Sequence, residues 1–342
     1  MKYLLSICIS LFAMSLTSFA QQGVTFVQKT ADNRVDVLID GELFTSYMYP
    51  DNIAKPVLFP LKTVSGKTLT RGFPLETMTG ERVDHPHHVG HWFNYGDVNG
   101  LDFWNNSEAI PEEKRDGYGT IYHNAVTRMD DGQKQGELET VSTWKTPDGE
   151  PLLNEQTTFV FAQEGNTRSI ERITTLTAIE DVDFDDNKEG VVAIRVARAL
   201  ELPSDSPAIF TDAQGNPTEV KVLNNEGVTG NYLSSEGLEG GDVWGTRAKW
   251  VKLYGEMQGE KVALAILDHP DNVGYPTYWH ARGYGLFSAN PLGQSVFSKG
   301  KETLNFKLKK GEAVTFKYKI LVHSGAALTA KQLEKAWEAF AE

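Results

Sequence analysis

The stretch Arg168–Ile179 constrains the fold most, because Ile170, Ile173, Leu176 and Ile179 stand there among threonines. β-Branched side chains are stiff at χ1 and suit a pleated surface better than a helix. The stretch therefore reads as one long twisted strand. The same signature recurs: Val35 to Ile39 alternates around Asp36, and Glu137 to Trp144 and Thr157 to Phe161 are β-branched and aromatic. Val191 to Val196, Trp250 to Tyr254, Val262 to Leu267, Thr303 to Leu308 and Ala313 to Val322 follow. Gly, Asp, Asn or Pro bound each run, as they bound strands generally. Lys310-Gly311, between the last two, predicts a hairpin turn. Helical signal is concentrated at the end. Thr329 precedes Gln332 by the spacing of a capping box, and Leu333, Ala336, Trp337 and Phe340 recur at helical spacing. That apolar stripe is expected to dock on a sheet. The fold class is all-β, a large antiparallel β-sandwich with a short C-terminal helix.

Lys2, the apolar stretch Leu4 to Leu16 and the small residues of Ser18-Phe19-Ala20 predict a signal peptide over residues 1–20. The stretch is too short for a membrane anchor, and Cys8 lies inside it rather than after it, which argues against a lipoprotein. The mature chain is expected to be periplasmic or secreted. Cys8 is the only cysteine, so residues 21–342 hold no disulfide, thiolate nucleophile or cysteine-zinc site. They suffice for a single β-sandwich domain, and no repeat or linker divides them. A net charge of −13 argues against nucleic acid or anionic lipid as partner. With no other long apolar run, membrane insertion is not expected. Asp181 to Glu189 reads as a solvated acidic loop, since it lacks the glycine and terminal glutamate of an EF-hand. Asn224 to Gly241 reads as a mobile loop over one sheet face.

Chemistry concentrates in Asp84-His85-Pro86-His87-His88-Val89-Gly90-His91, which carries four of the chain's eight histidines. Imidazole exchanges a proton near neutral pH and also binds metals. On an extended segment His85, His87 and His91 would share a side, with His88 and Trp92 on the other. Three readings stay open: His85 or His87 as general acid or base, two of the histidines with Asp84 or His123 as ligands of a divalent metal, or a structural role. Trp92, Phe93, Tyr95, Phe103 and Trp104 are candidates for a sugar-stacking platform or for core. Asn99-Gly100 is a tight turn, and Asp97 and Asp102 either accept hydrogen bonds from sugar hydroxyls or shape that turn.

A second constellation runs from Tyr278-Trp279-His280-Ala281-Arg282 to Asn290. His280 and Arg282 stand at alternate positions and would share a face, an arrangement suited to clamping a carboxylate or other anion. Asp-His-Pro occurs at Asp84 and again at Asp268. A glycosidase of the usual kind needs two carboxylates; Glu81, Asp84, Asp97, Asp102, Glu155 and Asp268 are candidates that spacing does not separate. HExxH, phosphate-binding glycine loops and GxSxG are all absent, which disfavours zincins, nucleotide cofactors and serine hydrolases.

Lys55-Pro56-Val57-Leu58, Thr70-Arg71, the Asp84–His88 run, Gly96-Asp97-Val98-Asn99-Gly100 with Asp102-Phe103-Trp104, and His280 through Gly293 resemble the DUF6807 family, often labelled PmoA, over roughly Gly23 to Ser324. The methane-oxygenase label suits an integral membrane subunit and fits this chain badly. The resemblance implies an exported bacterial β protein of polysaccharide-degrading species, with a fold similar to the galactose-mutarotase supersandwich and no settled activity. It places Asp84, His85, His87, His88, Asn99, Asp102, His123, His280, Arg282 and Asn290 at motif positions, and His91 outside them.

The resulting expectation is an exported carbohydrate-active enzyme acting on an oligosaccharide or small sugar derivative, with hydrolysis ranked before elimination or epimerisation. His85, His87, His280 and Arg282 would be catalytic. Trp92, Asn99, Asp102, Trp104, Tyr278 and Asn290 would bind substrate. A metal-assisted version would use Asp84, His88 and His123 as ligands. The alternative is a non-catalytic glycan-binding sandwich.

Overall fold

The computed structural model describes residues 22–342; the expected signal peptide lies outside them. Two eight-stranded antiparallel sheets face one another. The first runs in the order Val24–Lys29, Arg34–Ile39, Glu42–Met48, Val57–Leu58, His91–Tyr95, Gly190–Arg195, Leu286–Asn290, Tyr278–Ala281. The second runs Asn231–Ser234, Trp250–Met257, Glu260–Asp268, Ala313–Gly325, Thr167–Ala178, Pro151–Glu164, Gln135–Lys145, Thr120–Asp130. Their inner faces make the main core, in which Phe93, Val192, Ile194, Trp279 and Phe287 of the first sheet meet Trp144, Phe159, Ile170, Phe316 and Tyr318 of the second. This is the antiparallel sandwich expected from the strand periodicity.

Register departs from that expectation in one instructive way. In Thr167–Ala178 the buried positions are Arg168, Ile170, Arg172, Thr174, Leu176 and Ala178. Side chains alternate with a period of two, so Ile170 and Leu176 face inward while Ile173 faces outward. Arg172 therefore sits in the core. Its guanidinium lies between the rings of Phe93 and Phe159, 5.0 and 5.1 Å from their centres, and Nη2 donates to Glu155 Oε1 at 3.1 Å. A buried charge needs such a partner. Glu155 also accepts from Trp144 Nε1 at 2.8 Å, so this carboxylate is committed to the core.

The helix Ala330–Ala341 carries the expected capping box at Thr329 and Gln332. Leu333 and Phe340 pack with Trp250, Ala263, Ala265, Leu267 and Leu321 on the outer face of the second sheet. Trp337 Nε1 donates to Asp268 O at 2.9 Å. Three local expectations are corrected. Lys310-Gly311 is a turn, but the strands it joins pair with different partners, Val182–Phe184 and Thr167–Ala178, so no hairpin forms. The segment 224–241 contains the edge strand Asn231–Ser234 rather than one continuous loop. The acidic run holds a short strand, and Asp186 accepts from the backbone of Ser295, Leu304 and Asn305.

Over the outer face of the first sheet the one α-helix among the described residues is the single turn Gln294–Phe297, whose Phe297 lies on Tyr278 and His280. Trp92, Ala193, Ser288 and His280 form one cross-strand row there, and Arg195 and Leu286 the next. Irregular segments cover most of it, and a third apolar cluster of Val57, Phe59, Val89, Trp92, Trp104, Ala193 and Leu286 fills the space beneath. The helix contact gives a stability prediction. Leu333→Ala should destabilise the protein by about 2–5 kcal/mol in denaturant titration, whereas Glu338→Ala, exposed on the same helix, should stay within about 0.5 kcal/mol. Equal effects would mean that the helix is not docked.

Candidate active site

Asp84 is the centre of the site. Arg71 Nη1 donates to its Oδ1 at 2.7 Å and Arg195 Nη2 to the same oxygen at 2.6 Å. Both arginines are fully buried, while the Asp84 side chain keeps 30 % of its surface exposed. Arg71 also donates to the carbonyls of Asp84, His85 and His88 at 2.8–3.0 Å. These bonds satisfy backbone groups that no strand pairs. Burial alone would raise the Asp84 carboxyl, but the His85 hydrogen bond and the two guanidiniums reverse this and hold it well below the usual carboxylate range.

The histidine run is a turn rather than a strand. Pro86 disfavours helix at His85, and His85 takes φ = +43°, with His88 N–H donating to His85 O at 3.0 Å. A non-glycine residue in this region is strained and held by its surroundings. The turn brings His85, His87 and His88 together, with ring centres 4.4–5.6 Å apart. His91 is separated from them: it lies opposite Ile194 on the core-facing side, and its Nδ1 bonds Ala193 O.

The two sequence motifs meet at Tyr284. Its ring stacks on His85 at 5.0 Å, the Arg195 guanidinium lies 4.9 Å from its centre, and Arg282 lies 5.7 Å from both Tyr284 and Trp244. His85 is the exposed imidazole of the run, and its Nδ1 stands 3.3 Å from Asp84 Oδ2. Tyr284 also lines a hollow of about 540 Å³, with Arg82, Leu202, Trp244, Arg282 and Gly283 among the other walls; His85 is not one of them and meets it through the Tyr284 stack. The volume falls within the roughly 300–1,000 Å³ of small-molecule sites. Arg82 is paired with Glu201 at 2.7 Å; Arg282 has no carboxylate partner among the described residues.

The other expected site residues are placed as follows. His87 is buried, and burial, reinforced by Lys55, pulls it down to about 2. His280 is buried beside Glu189, with Nδ1 bonded to Lys188 O at 3.0 Å, and burial brings it to about 3. Trp92 and Trp104 are fully buried, so neither ring offers a stacking face; each was ambiguous because an aromatic side chain serves core and platform equally well. Asn99 occupies an exposed turn at φ = +54° and bonds the backbone of Asp181 and Asp183. Asp102 receives the amides of Trp104 and Asn105. Asn290 is buried and bonds Asn187 O and Leu292 N. Tyr278 is buried under Arg247 and Phe297.

The metal set does not assemble. His123 stacks on Tyr49 and bonds Tyr47 OH, lining a separate hollow, whereas Asp84 and His88 are held by Arg195. No group of three or more His, Cys, Asp or Glu among the described residues is placed to hold a metal. The second Asp-His-Pro is structural: Asp268 lies on the other sheet and accepts from Asn272 Nδ2 and Thr277 N. Sequence reasoning missed Arg195, Tyr284, Trp244 and Lys55 as site residues. Arg195 closing the apolar run Val191–Ile194 was the available signal, since a cation there implies a buried anion.

A family model described as a family of unknown function, DUF6807, matches residues 34–338. The chain belongs to the DUF6807 family. No curated protein matches it in sequence. Among solved structures it is similar to the galactosidase domain of an α-galactosidase–sucrose kinase, at 8 % identity and a TM-score of 0.43, covering 88 % of this chain and 42 % of that one. It is similar to a GH36 α-galactosidase of Geobacillus stearothermophilus at 12 % identity and 0.41, covering 89 % and 42 %. It is also similar to a galactose 1-epimerase of Lactobacillus acidophilus at 10 % identity and 0.34, covering 90 % and 100 %. This DUF6807 chain has, among its described residues, no helix long and apolar enough to cross a membrane.

Burial gives this DUF6807 protein a pH signature. His87, His88, His91 and His280 are all held well below the ordinary imidazole value by burial. Unfolded, each titrates near 6.5 and binds more protons than the folded state below that pH, so stability is lost as pH falls. Asp268, raised to about 7 by burial, opposes this without matching four imidazoles. Thermal denaturation should show a lower Tm at about pH 5 than at about pH 7; a flat or rising Tm would contradict the buried neutral state.

Proposed function

We propose that this chain is an exported carbohydrate-active enzyme in which the exposed His85 exchanges a proton with a saccharide that extends past Tyr284 from the hollow of Arg282 and Trp244. The observation that carries the reading is the Asp84–His85 pair: an exposed imidazole whose Nδ1 faces a carboxylate fixed by two buried guanidiniums. Such a partner keeps the ring proton on Nδ1 and leaves Nε2 for the substrate. Neutral, Nε2 removes a proton; protonated, it gives one back. Asp84 is a positioning residue that fixes tautomer and orientation. Arg282, exposed and without a carboxylate partner among the described residues, supplies planar donors to a hydroxyl or carboxylate of the sugar. Buried and neutral, His87 and His280 support the site without carrying the proton.

Export rests on residues 1–20. Hydrolysis is the first reaction to test; elimination and epimerisation use the same proton transfer. An oligosaccharide screen read by mass spectrometry separates the three, since hydrolysis adds water, elimination leaves an unsaturated product and epimerisation leaves the mass unchanged. On the substrate so found, His85→Ala should lower kcat about 10²–10⁴-fold while substrate still binds, and Arg282→Met should act mainly on KM. Unchanged turnover in folded His85→Ala protein would reject the catalytic role and leave the glycan-binding alternative.

A further inference from the structure

The hollow of about 540 Å³ takes its charge from Arg82 and Arg282, and no aspartate or glutamate stands among its walls. In a chain of net charge −13 this is a local reversal of sign. A concave wall of one charge concentrates its field on whatever enters. The two arginines arrive there differently. Arg82 is buried and pairs through Nε with Glu201 Oε2 at 2.7 Å. Arg198 Nη1 holds the same oxygen at 2.6 Å, so two guanidiniums share one carboxylate and this cluster keeps an excess of positive charge. Arg282 is exposed. Its guanidinium lies 5.7 Å from the ring centres of both Trp244 and Tyr284 and donates to no group among the described residues.

An exposed arginine is ordinary; its fixed placement is what sets Arg282 apart. It follows the strand Tyr278–Ala281 in a tight turn. Its N–H donates to Leu286 O at 2.7 Å, and its carbonyl accepts from Gly285 N at 3.0 Å and from Tyr232 Oη at 3.2 Å. Gly285 takes φ = +92° to close that turn. Gly283 O accepts from Leu202 N at 2.9 Å. With the backbone fixed and two rings beside it, the guanidinium loses little further freedom when it takes a ligand. A planar fork of N–H donors so held matches the paired oxygens of a carboxylate or sulfate. Trp244 and Tyr284 offer apolar surface to sugar C–H groups, and Ser204 and Ser206, also among the walls, offer hydroxyls.

We propose that this hollow recognises the anionic group, carboxylate or sulfate, of an acidic saccharide, with Arg282 as the residue that grips it. The inference rests on the reading of the hollow as a saccharide site and narrows its ligand to a uronate or sulfated sugar. It does not require that His85 carry the proton. The carboxylates around the site are already engaged: Glu201 by Arg82 and Arg198, Asp84 by Arg71 and Arg195, and Glu189 by Lys188. None of them competes for the Arg282 fork.

Calorimetric titration of the mature protein with oligogalacturonate, a sulfated galactan oligosaccharide and neutral cello- and malto-oligosaccharides tests this without needing turnover. At least one acidic glycan should bind, and the neutral ones should bind about tenfold more weakly or less; which acid binds tells carboxylate from sulfate. Binding should weaken as sodium chloride rises from about 0.05 M to about 0.5 M. Arg282→Met should lower affinity about tenfold or more, and Arg282→Lys, which keeps the charge and loses the fork, should recover only part of it. Arg115→Met, which removes an exposed arginine from the separate hollow of about 730 Å³, should bind as the wild type does. No binding by either acidic glycan, equal binding of the neutral ones, or undiminished affinity in Arg282→Met would overturn the inference. The two readings fail separately. Acidic glycan bound through Arg282, with turnover intact in His85→Ala, would reject the proton transfer and keep this site. Turnover of a neutral glycan that needs His85 and not Arg282 would reject this site alone.

Discussion

One carboxylate between two buried guanidiniums organises the site. Arg71 and Arg195 are both sealed from water, and Asp84 Oδ1 is the acceptor they share. A buried ion pair of this kind is weak evidence of stability, since desolvation offsets much of the attraction. Its consequence here is positional. The remaining Arg71 donors hold the carbonyls of a turn that has no strand partner, and that turn fixes three imidazoles. With the turn held, His85 stacks on Tyr284, and residues almost two hundred positions apart in the chain become neighbours.

The two faces of the first sheet divide the work. Its inner face is conventional core, closed by aromatics and by the Arg172–Glu155 pair. Its outer face is covered mainly by irregular segments, and there polar groups are buried beside apolar ones. Such coverings must satisfy backbone groups one at a time. Arg71 does this for the histidine turn, Lys55 for His87 O, and Asp102 for the amides after Phe103. Residues that resemble ligand-binding groups in sequence, such as Asp102, Asn99 and Asn290, are therefore absorbed in holding the chain. Trp92 Nε1 and Trp104 Nε1, buried with no partner among the described residues, are where that satisfaction stops.

Most of the architecture was legible in the sequence because strand periodicity and turn residues are local signals. The long strands, the capping box at Thr329 and the apolar stripe of the last helix all follow from spacing alone. Strand pairing was not legible. Lys310-Gly311 marks a turn correctly, yet whether two runs pair depends on the sheet each one joins. The histidine run drew attention for the right reason, its density, but a period-two reading cannot foresee a left-handed residue at His85. That conformation is held by Arg71, which bonds His85 O, and by Arg195, which grips Asp84 from far along the chain. Burial explains the rest: Trp92 and Trp104 differ from an exposed platform only in what covers them, and the covering comes from distant loops.

The central claim, that His85 is the reactive imidazole, is tested most directly by mapping carbethoxylation of the histidines by mass spectrometry while following turnover. His85 is the exposed ring, and His87, His88, His91 and His280 are buried. Modification should reach His85 first, activity should fall in step with it, and bound saccharide should protect both. Full modification of His85 with turnover intact would contradict the account.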